Sequence, residues 1–177
     1  MSRWIVNASP VIVLARMGRG DLLLRLPAEL IIPAAVAAEV AAGPADDPGR
    51  IWLAGPGRTA IRDDPAIPPS IAAWDLGAGE SAVLAGAYRQ ADCEIVVDDH
   101  AARQCARAFG VRVLGTVGVL LRAKHRGLIE MVGPLLWALP RHGCHIAQSL
   151  VREALRLAGE AESNSPSFPA GQTQSEE

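Results

Sequence analysis

The strongest constraint on the fold is the stretch Glu94-Ile95-Val96-Val97-Asp98-Asp99-His100, in which a short apolar run ends abruptly in two carboxylates. A helix-forming segment, 101–109, follows at once. This order predicts a buried parallel strand with polar groups at its carboxyl end, where open α/β sheets bind their ligands. The two adjacent Asp side chains repel each other unless a cation or hydrogen-bond donors hold them. The alternative is that one Asp caps the next helix and the other is solvated.

The composition indicates a single globular domain, because half of the 177 residues are hydrophobic and can form a core. The net charge of −2 argues against a protein that coats nucleic acid through a strongly basic surface. It leaves open an enzyme that acts on nucleic acid through a metal ion and a local basic patch. Three cysteines without CxxC spacing do not favour a disulfide framework or a zinc site. The apolar run 4–15 is too short to span a bilayer, so we expect a cytoplasmic protein with no membrane partner.

Predicted strands alternate with predicted helices along the chain, which is typical of an α/β fold with a central parallel sheet and helices on both faces. Ser9 and Thr116 are each predicted to cap a helix. The segment 160–177 is rich in Ser, Pro, Gln, Glu and Gly, and we expect a disordered tail that follows a domain over residues 1–159. The stretch 51–75 is predicted to be largely irregular, apart from a helical turn at 51–54 and a short strand at 59–61. Strands are predicted over 3–6, 30–32, 59–61, 94–97 and 111–114, and helices over 10–17, 22–26, 33–42, 80–91, 100–109, 115–126, 130–139 and 148–158.

Acidic residues are predicted to meet at one edge of this sheet. Asn7 and the pair Asp98-Asp99 follow strands, and the carboxyl ends of parallel strands lie at the same edge. Glu39 is the only charge in an alanine-rich helix, so it is either a solvated position or a ligand. Glu80 lies in the first turn of its helix, where a negative charge interacts favourably with the helix dipole. It also lies on the face of the helix that is predicted to pack inward. Several carboxylates in one cleft form a hard-ligand site for Mg²⁺ or Mn²⁺, which supports phosphodiester hydrolysis without a protein nucleophile.

Five segments together resemble a PIN-like domain, and the nearest resemblance is to the uncharacterised DUF3368 family. The resemblance covers about residues 3–158 and implies a PIN-like three-layer α/β/α fold. PIN domains are mostly Mg²⁺- or Mn²⁺-dependent nucleases, and many are ribonuclease toxins of prokaryotic toxin–antitoxin pairs, such as the VapC-like toxins. The segments are Ile-Val-Asn-Ala-Ser-Pro, Ile-Pro-Ala-Ala-Val-Ala-Ala-Glu-Val, Leu-Gly-Ala-Gly-Glu-Ser-Ala-Val-Leu-Ala, Ile-Val-Val-Asp-Asp-His-Ala-Ala-Arg and Val-Leu-Gly-Thr-Val-Gly-Val-Leu-Leu-Arg-Ala-Lys.

The resemblance implies an acidic site built from four positions of this chain. Glu39, Glu80 and Asp99 match the second, third and fourth acids of the family, with Asp98 beside the last. These four are the expected catalytic residues, and Asn7, Glu39, Glu80 and Asp99 are the expected metal ligands. Asn7 departs from the family pattern, because it stands where the first acid is expected. Its amide oxygen can still coordinate a hard cation but brings no charge, so we expect weaker metal binding.

The expected substrate is single-stranded or structured RNA, and the expected partners are a small antitoxin and a second copy of the chain. Ser9 matches a small polar residue near the first acid, and the amides at Thr116 could hold a phosphate at a helix start. Basic residues after the acidic pair could contact a phosphate backbone, although a solvated helical face explains them equally well. The predicted nucleic-acid contacts are Ser9, Arg103, Thr116, Arg122 and Lys124.

Two other classes of protein are excluded by the positions of the acids. A response-regulator receiver needs a phosphoacceptor Asp on a later strand, and no Asp follows Asp99. A phosphatase of the haloacid-dehalogenase type needs Asp-x-Asp after the first strand, where this chain has Asn7-Ala8-Ser9. The open alternative to a nuclease is a non-catalytic PIN-like module that binds nucleic acid or an antitoxin.

Overall fold

The computed structural model describes residues 2–160, which form an α/β fold around a five-stranded sheet. The strands are all parallel and lie in the order β3-β2-β1-β4-β5. The predicted three-layer α/β/α class with a central parallel sheet is confirmed. The strands are β1 (Arg3–Val6), β2 (Glu29–Pro33), β3 (Ile61–Arg62), β4 (Cys93–Val96) and β5 (Arg112–Leu114).

Helices connect the strands and continue after the last one. Single 3₁₀ turns lie at Pro56–Ala60 and Leu139–His142. The α-helices of the described part are α1 (Ala8–Arg16), α2 (Asp21–Arg25), α3 (Ala34–Ala41), α4 (Pro48–Ala54), α5 (Pro69–Ala72), α6 (Ala78–Ala87), α7 (His100–Ala108), α8 (Thr116–His125), α9 (Gly133–Ala138) and α10 (Gln148–Ala158).

The strand order reverses between β1 and β4, which places a crevice at the carboxyl ends of these two strands. From β1 the chain proceeds outward through β2 to β3, then returns to β4 on the other side of β1 and continues to β5. The backbone amide of Asn7 donates to the carbonyl of Val96 at 3.0 Å, so the ends of β1 and β4 are joined directly. The polar residues that follow these strands therefore flank the crevice.

The centre of the sheet is fully enclosed, which explains the continuous apolar runs of its strands. Trp4, Val6, Ile95 and Val96 have no exposed surface. The short side chains of α3 let this helix pack closely against α1 and α6. This packing brings Glu39, the only charge of α3, toward the first turn of α6.

Several predicted boundaries were wrong. α1 begins at Ala8 with Asn7 as its N-cap, so Ser9 lies inside the helix rather than capping it. α8 begins at Thr116 with Gly115 as its N-cap, because the Thr116 hydroxyl donates to Asp98 instead of capping the helix. In the stretch 51–75, the helical turn predicted at 51–54 is the end of α4 and the strand predicted at 59–61 lies at 61–62, while a 3₁₀ turn and α5 were not predicted.

At the carboxyl end, Glu160 lies within the described part and forms hydrogen bonds with the domain, although we expected it to belong to the tail. Its carboxylate accepts from Lys124 Nζ and from the backbone amides of Val132 and Gly133. The rest of the predicted disordered tail, 161–177, lies outside the described residues. Among the described helices, none is both long enough and apolar enough to cross a membrane.

Candidate metal and phosphodiester site

Asn7 and Glu80 are joined by a hydrogen bond at the crevice. Asn7 is 3% exposed, and its Nδ2 donates to Glu80 Oε1 at 3.0 Å. A carboxylate only accepts hydrogen bonds, so this contact fixes which end of the amide faces Glu80. The opposite end, Asn7 Oδ1, is buried and has no hydrogen-bond partner among the described residues. A buried acceptor without a donor is costly, so this oxygen is suited to a cation, a water or another donor that the described residues do not supply.

Glu39 reaches the same place from α3. A Cβ built on Gly79 would stand 3.0 Å from both Asn7 Oδ1 and Glu39 Oε2, so the two oxygens converge on the first turn of α6. Glu39 as a whole is exposed, but its carboxylate is partly enclosed at this point. This partial burial, together with the negative charge of Glu80, raises the pKa of Glu39 above its usual range.

Two glycines make this convergence possible. Gly79 is buried, and a methyl group there would press on Asn7 Oδ1, Glu39 Oε2 and a methyl of Val36. Gly77, the N-cap of α6, allows Glu80 Oε2 to fold back over its backbone, where a Cβ would collide. The sequence Gly-Ala-Gly-Glu therefore brings the α6 backbone close to the cleft and turns Glu80 into it.

Asp98 faces the start of α8. Its Oδ1 accepts from the Thr116 backbone amide at 2.8 Å and its Oδ2 from Thr116 Oγ1 at 2.6 Å. Thr116 is fully buried, so Asp98 satisfies both of its donors. Burial raises the pKa of the Cys144 thiol to about 11, and the negative charge of Asp98 contributes to this shift. Because Asp98 accepts from the amide of Thr116, this amide is not free to donate to a phosphate.

Asp99 is the N-cap of α7. Its Oδ1 accepts from the backbone amide of Ala102 at 2.8 Å, and the residue is exposed. This contact agrees with the alternative considered from the sequence, in which one Asp of the pair caps the following helix.

Apart from Thr116, the predicted nucleic-acid contacts fall into two groups. Arg103 Nη1 donates to the carbonyl of Val97 at 3.1 Å, beside Asp98 at the rim of the crevice, and Ser9 is exposed on the first turn of α1. Arg122 instead binds Glu94 through two hydrogen bonds, of 2.6 and 3.1 Å, and Lys124 Nζ lies 2.5 Å from Glu160 Oε1. These ion pairs engage Arg122 and Lys124 inside the domain.

The group formed by Asn7, Glu39 and Glu80, called the acid–amide cluster below, has the donor chemistry of a hard cation site. Among the described residues, no Lys or Arg forms an ion pair with either glutamate. Within the same range, no three Asp, Glu, His or Cys side chains form a group that could hold a metal. The available ligands are therefore two carboxylates and the unpartnered amide oxygen, and this set fits a divalent cation.

Sequence reasoning missed Gly79 and Glu94. Gly79 controls how closely α6 approaches the cluster, and the glycine-rich approach to Glu80 was the available indication. Glu94 is 8% exposed on β4, where it accepts from Ser2, Trp4 and Arg122. A single acid in an apolar strand could have indicated a buried ion pair, but the sequence does not identify its partner.

One known family matches most of the chain. The sequence profile of the family DUF3368, described as a PIN domain, matches residues 3–160. The match includes all three members of the acid–amide cluster and both acids after β4. No curated protein matches the chain.

Proposed function

The chain belongs to the DUF3368 family of PIN domains, and from this we propose that it is a Mg²⁺- or Mn²⁺-dependent ribonuclease. PIN domains are generally nucleases, which supports phosphodiester hydrolysis as the reaction class. The observation that carries the proposal is the buried, unpartnered Oδ1 of Asn7 beside Glu39 and Glu80. The proposed setting is the cytoplasm, where such an enzyme meets RNA.

Asn7, Glu39 and Glu80 would hold the divalent cation. When bound, the cation lowers the pKa of a coordinated water and neutralises charge on a phosphoryl oxygen. Asn7 fixes Glu80 through its Nδ2 hydrogen bond, and the two glutamates supply the negative charge of the site. In the reaction, water adds to phosphorus while one ester P–O bond breaks, which gives a phosphate monoester and an alcohol.

RNA would approach over the rim that carries Arg103. This guanidinium is anchored on Val97 beside the crevice, and its remaining N–H groups can donate to phosphate oxygens. Ser9, exposed next to Asn7, offers a second polar contact. A small antitoxin and a second copy of the chain are the proposed protein partners, in keeping with a toxin of the VapC-like type.

A non-catalytic binding module is the second candidate, and Asn7 is the observation that favours it. With a neutral amide at this position, the cluster has two carboxylates and attracts a divalent cation less strongly than three would. Such a module would retain RNA or antitoxin binding without cleavage.

Cleavage of labelled single-stranded RNA by the full chain in Mn²⁺ tests the proposal. We expect cutting that stops with EDTA and in Glu80→Gln, and that persists in the matched control Glu153→Gln, which alters an exposed glutamate of α10. Cutting that survives Glu80→Gln contradicts the assigned site. A gel shift of the RNA without any cleavage at high protein concentration supports the binding module instead.

A further inference from the structure

We infer that the outer face of α7 and a pocket at its far end bind the RNA strand outside the crevice. This surface, called the arginine track below, comprises Arg103 and Arg107 of α7 and Arg89 and Arg112 of the pocket. The pocket lies at the amino ends of β4 and β5, at the opposite edge of the sheet from the acid–amide cluster. The inference rests on the proposed function, since it concerns how the RNA of that reaction is held.

Helix α7 leads from the crevice to this pocket. It begins directly after Asp99, which follows β4, and it packs beside the sheet until the chain enters the amino end of β5. Its 9 residues span about 14 Å. A stacked nucleic-acid strand rises about 3.4 Å per nucleotide, so about four nucleotides cover the length of the helix.

The outer face of α7 is cationic. Arg103 and Arg107 are four positions apart, so they lie on the same side of the helix. Arg107 is exposed, and neither arginine forms an ion pair with an acid of the described part of the chain. The sequence of α7 contains no Asp or Glu that would repel a phosphate. The face therefore has the charge pattern that attracts a nucleic-acid backbone.

The pocket at the end of α7 combines two arginines with an apolar wall. Its volume is about 370 Å³, within the range of pockets that hold small ligands. Arg89 and Arg112 line it and are exposed, while Ala87, Phe109 and Val111 supply apolar surface. This lining suits a nucleotide, because guanidinium groups donate to phosphate oxygens and an aromatic ring contacts a base.

Local contacts position the two arginines of the pocket. The guanidinium carbon of Arg89 lies 4.9 Å from the centre of the Tyr88 ring, and Tyr88 packs edge-to-face against Phe109 with 5.6 Å between ring centroids. Arg112 Nη2 donates to the carbonyl of Ala91 at 2.8 Å. An arginine has five N–H donors, so Arg112 retains donors for a phosphate.

The acid nearest to the pocket in the sequence is already paired. Asp92 lies between two residues that line the pocket, and Arg3 binds it through two hydrogen bonds of 2.9 Å. Arg89 and Arg112 form no ion pair with a carboxylate of residues 2–160. Their positive charges are therefore available to an anion. Because the arginine track is continuous with the crevice, we assign it to RNA rather than to an acidic protein.

Fluorescence anisotropy of labelled single-stranded RNA with the full chain in EDTA tests the arginine track without cleavage or metal binding. The variants are Arg107→Gln and Arg89→Asn, since Asn tolerates the left-handed backbone of this position, at φ 62°. For an RNA of about 12 nucleotides, three times the length of α7, each variant should weaken binding about fivefold, the effect of one exposed charge contact. The slope of log affinity against log salt concentration should fall by about 0.7 per variant. The matched control Arg152→Gln removes an exposed arginine of α10 and should change neither quantity.

The outcomes separate this inference from the proposed function. Arg89→Asn and Arg107→Gln proteins that bind RNA as wild type does, or an equal loss in Arg152→Gln, overturn the inference and leave the nuclease proposal standing. Polyglutamate that displaces the RNA as well as unlabelled RNA does would make the surface a site for acidic proteins and also overturn the inference. Wild-type protein that neither binds RNA in EDTA nor cuts it in Mn²⁺ overturns both. Circular dichroism shows whether each variant retains its fold, and the expected loss in both track variants alone supports the assignment.

Discussion

Replacing Asp98 with Ala should destabilise the domain strongly, because Asp98 is the acceptor for two donors of a buried residue. The Thr116 amide and hydroxyl lie 2.8 and 2.6 Å from its oxygens, and Thr116 is fully buried. An unsatisfied buried donor costs about 1–3 kcal/mol. Asp98 is half-buried, so water replaces part of the loss, and we expect about 3 kcal/mol in total. For a domain of this size that corresponds to a fall in Tm of about 6–12 °C.

Thermal and urea unfolding followed by circular dichroism measure this effect, and a double-mutant cycle isolates the contact. Thr116→Val removes the hydroxyl alone, and we expect a coupling energy with Asp98→Ala of about 1 kcal/mol. Glu39→Ala is the matched control, since it removes an acid at the same crevice that accepts no hydrogen bond from the described residues. It should change stability by no more than about 0.5 kcal/mol. The prediction is wrong if the free energy of unfolding of Asp98→Ala lies within about 1 kcal/mol of the wild-type value, or is no lower than that of Glu39→Ala.

Three further predictions concern the same domain. Because the folded-state pKa of Glu39 is raised, its contribution to stability is present below the ordinary value of 4.5 and is lost as pH rises through the raised value. The free energy of unfolding of the wild-type protein, measured from pH 4 upward, should therefore show a decrease that the Glu39→Gln variant lacks. The same pH dependence in both proteins would contradict this prediction. Arg122→Met should lower the free energy of unfolding by about 2 kcal/mol, because it leaves the buried Glu94 carboxylate without its cation. If the folded variant binds RNA as well as wild type does, Arg122 makes no direct contact with RNA. Gly79→Ala should weaken Mn²⁺ binding at least about tenfold, because the added methyl group crowds Asn7 Oδ1. Gly43→Ala is the control and should leave Mn²⁺ binding unchanged, because the nearest atom there is a backbone oxygen at 3.4 Å.

The ion pair between Arg122 and Glu94 also affects the stability of the domain in acid. Burial alone would raise the pKa of Glu94, but the Arg122 guanidinium and the donors of Ser2 and Trp4 hold that pKa below its usual range. A depressed carboxyl pKa contributes stability above the unfolded value that is lost as pH falls through the folded value. The ion pair thus contributes to stability at neutral pH, away from the crevice.

The sequence predicted local structure well where one strong pattern was present. β1 and α10 have the predicted limits of 3–6 and 148–158, because an apolar run and an amphipathic helix are each defined by their own residues. It failed at caps and at α5, a short proline-led helix that depends on packing against α6, whereas the helical turn predicted at 51–54 lies within α4.

For the candidate site, the sequence indicated which residues lie at the carboxyl ends of strands and which helices carry acids. In the structure Asn7, Glu39 and Glu80 lie close together, and Asp98 and Asp99 accept hydrogen bonds at the starts of two helices. From the sequence, Arg122 and Lys124 were predicted to contact nucleic acid. The sequence could not show that Arg122 forms an ion pair with Glu94 and Lys124 with Glu160.

The sequence by itself determined the alternation of strands and helices, and with it a parallel sheet whose carboxyl edge carries polar groups. That information is local, because strand and helix periods and the position of a polar residue after an apolar run are properties of a few consecutive residues. Tertiary structure alone decided which of those polar groups face one another. Asn7 and Glu80 are 73 positions apart and Asp98 and Thr116 are 18 apart, and only chain packing sets the distances on which hydrogen bonds and ion pairs depend.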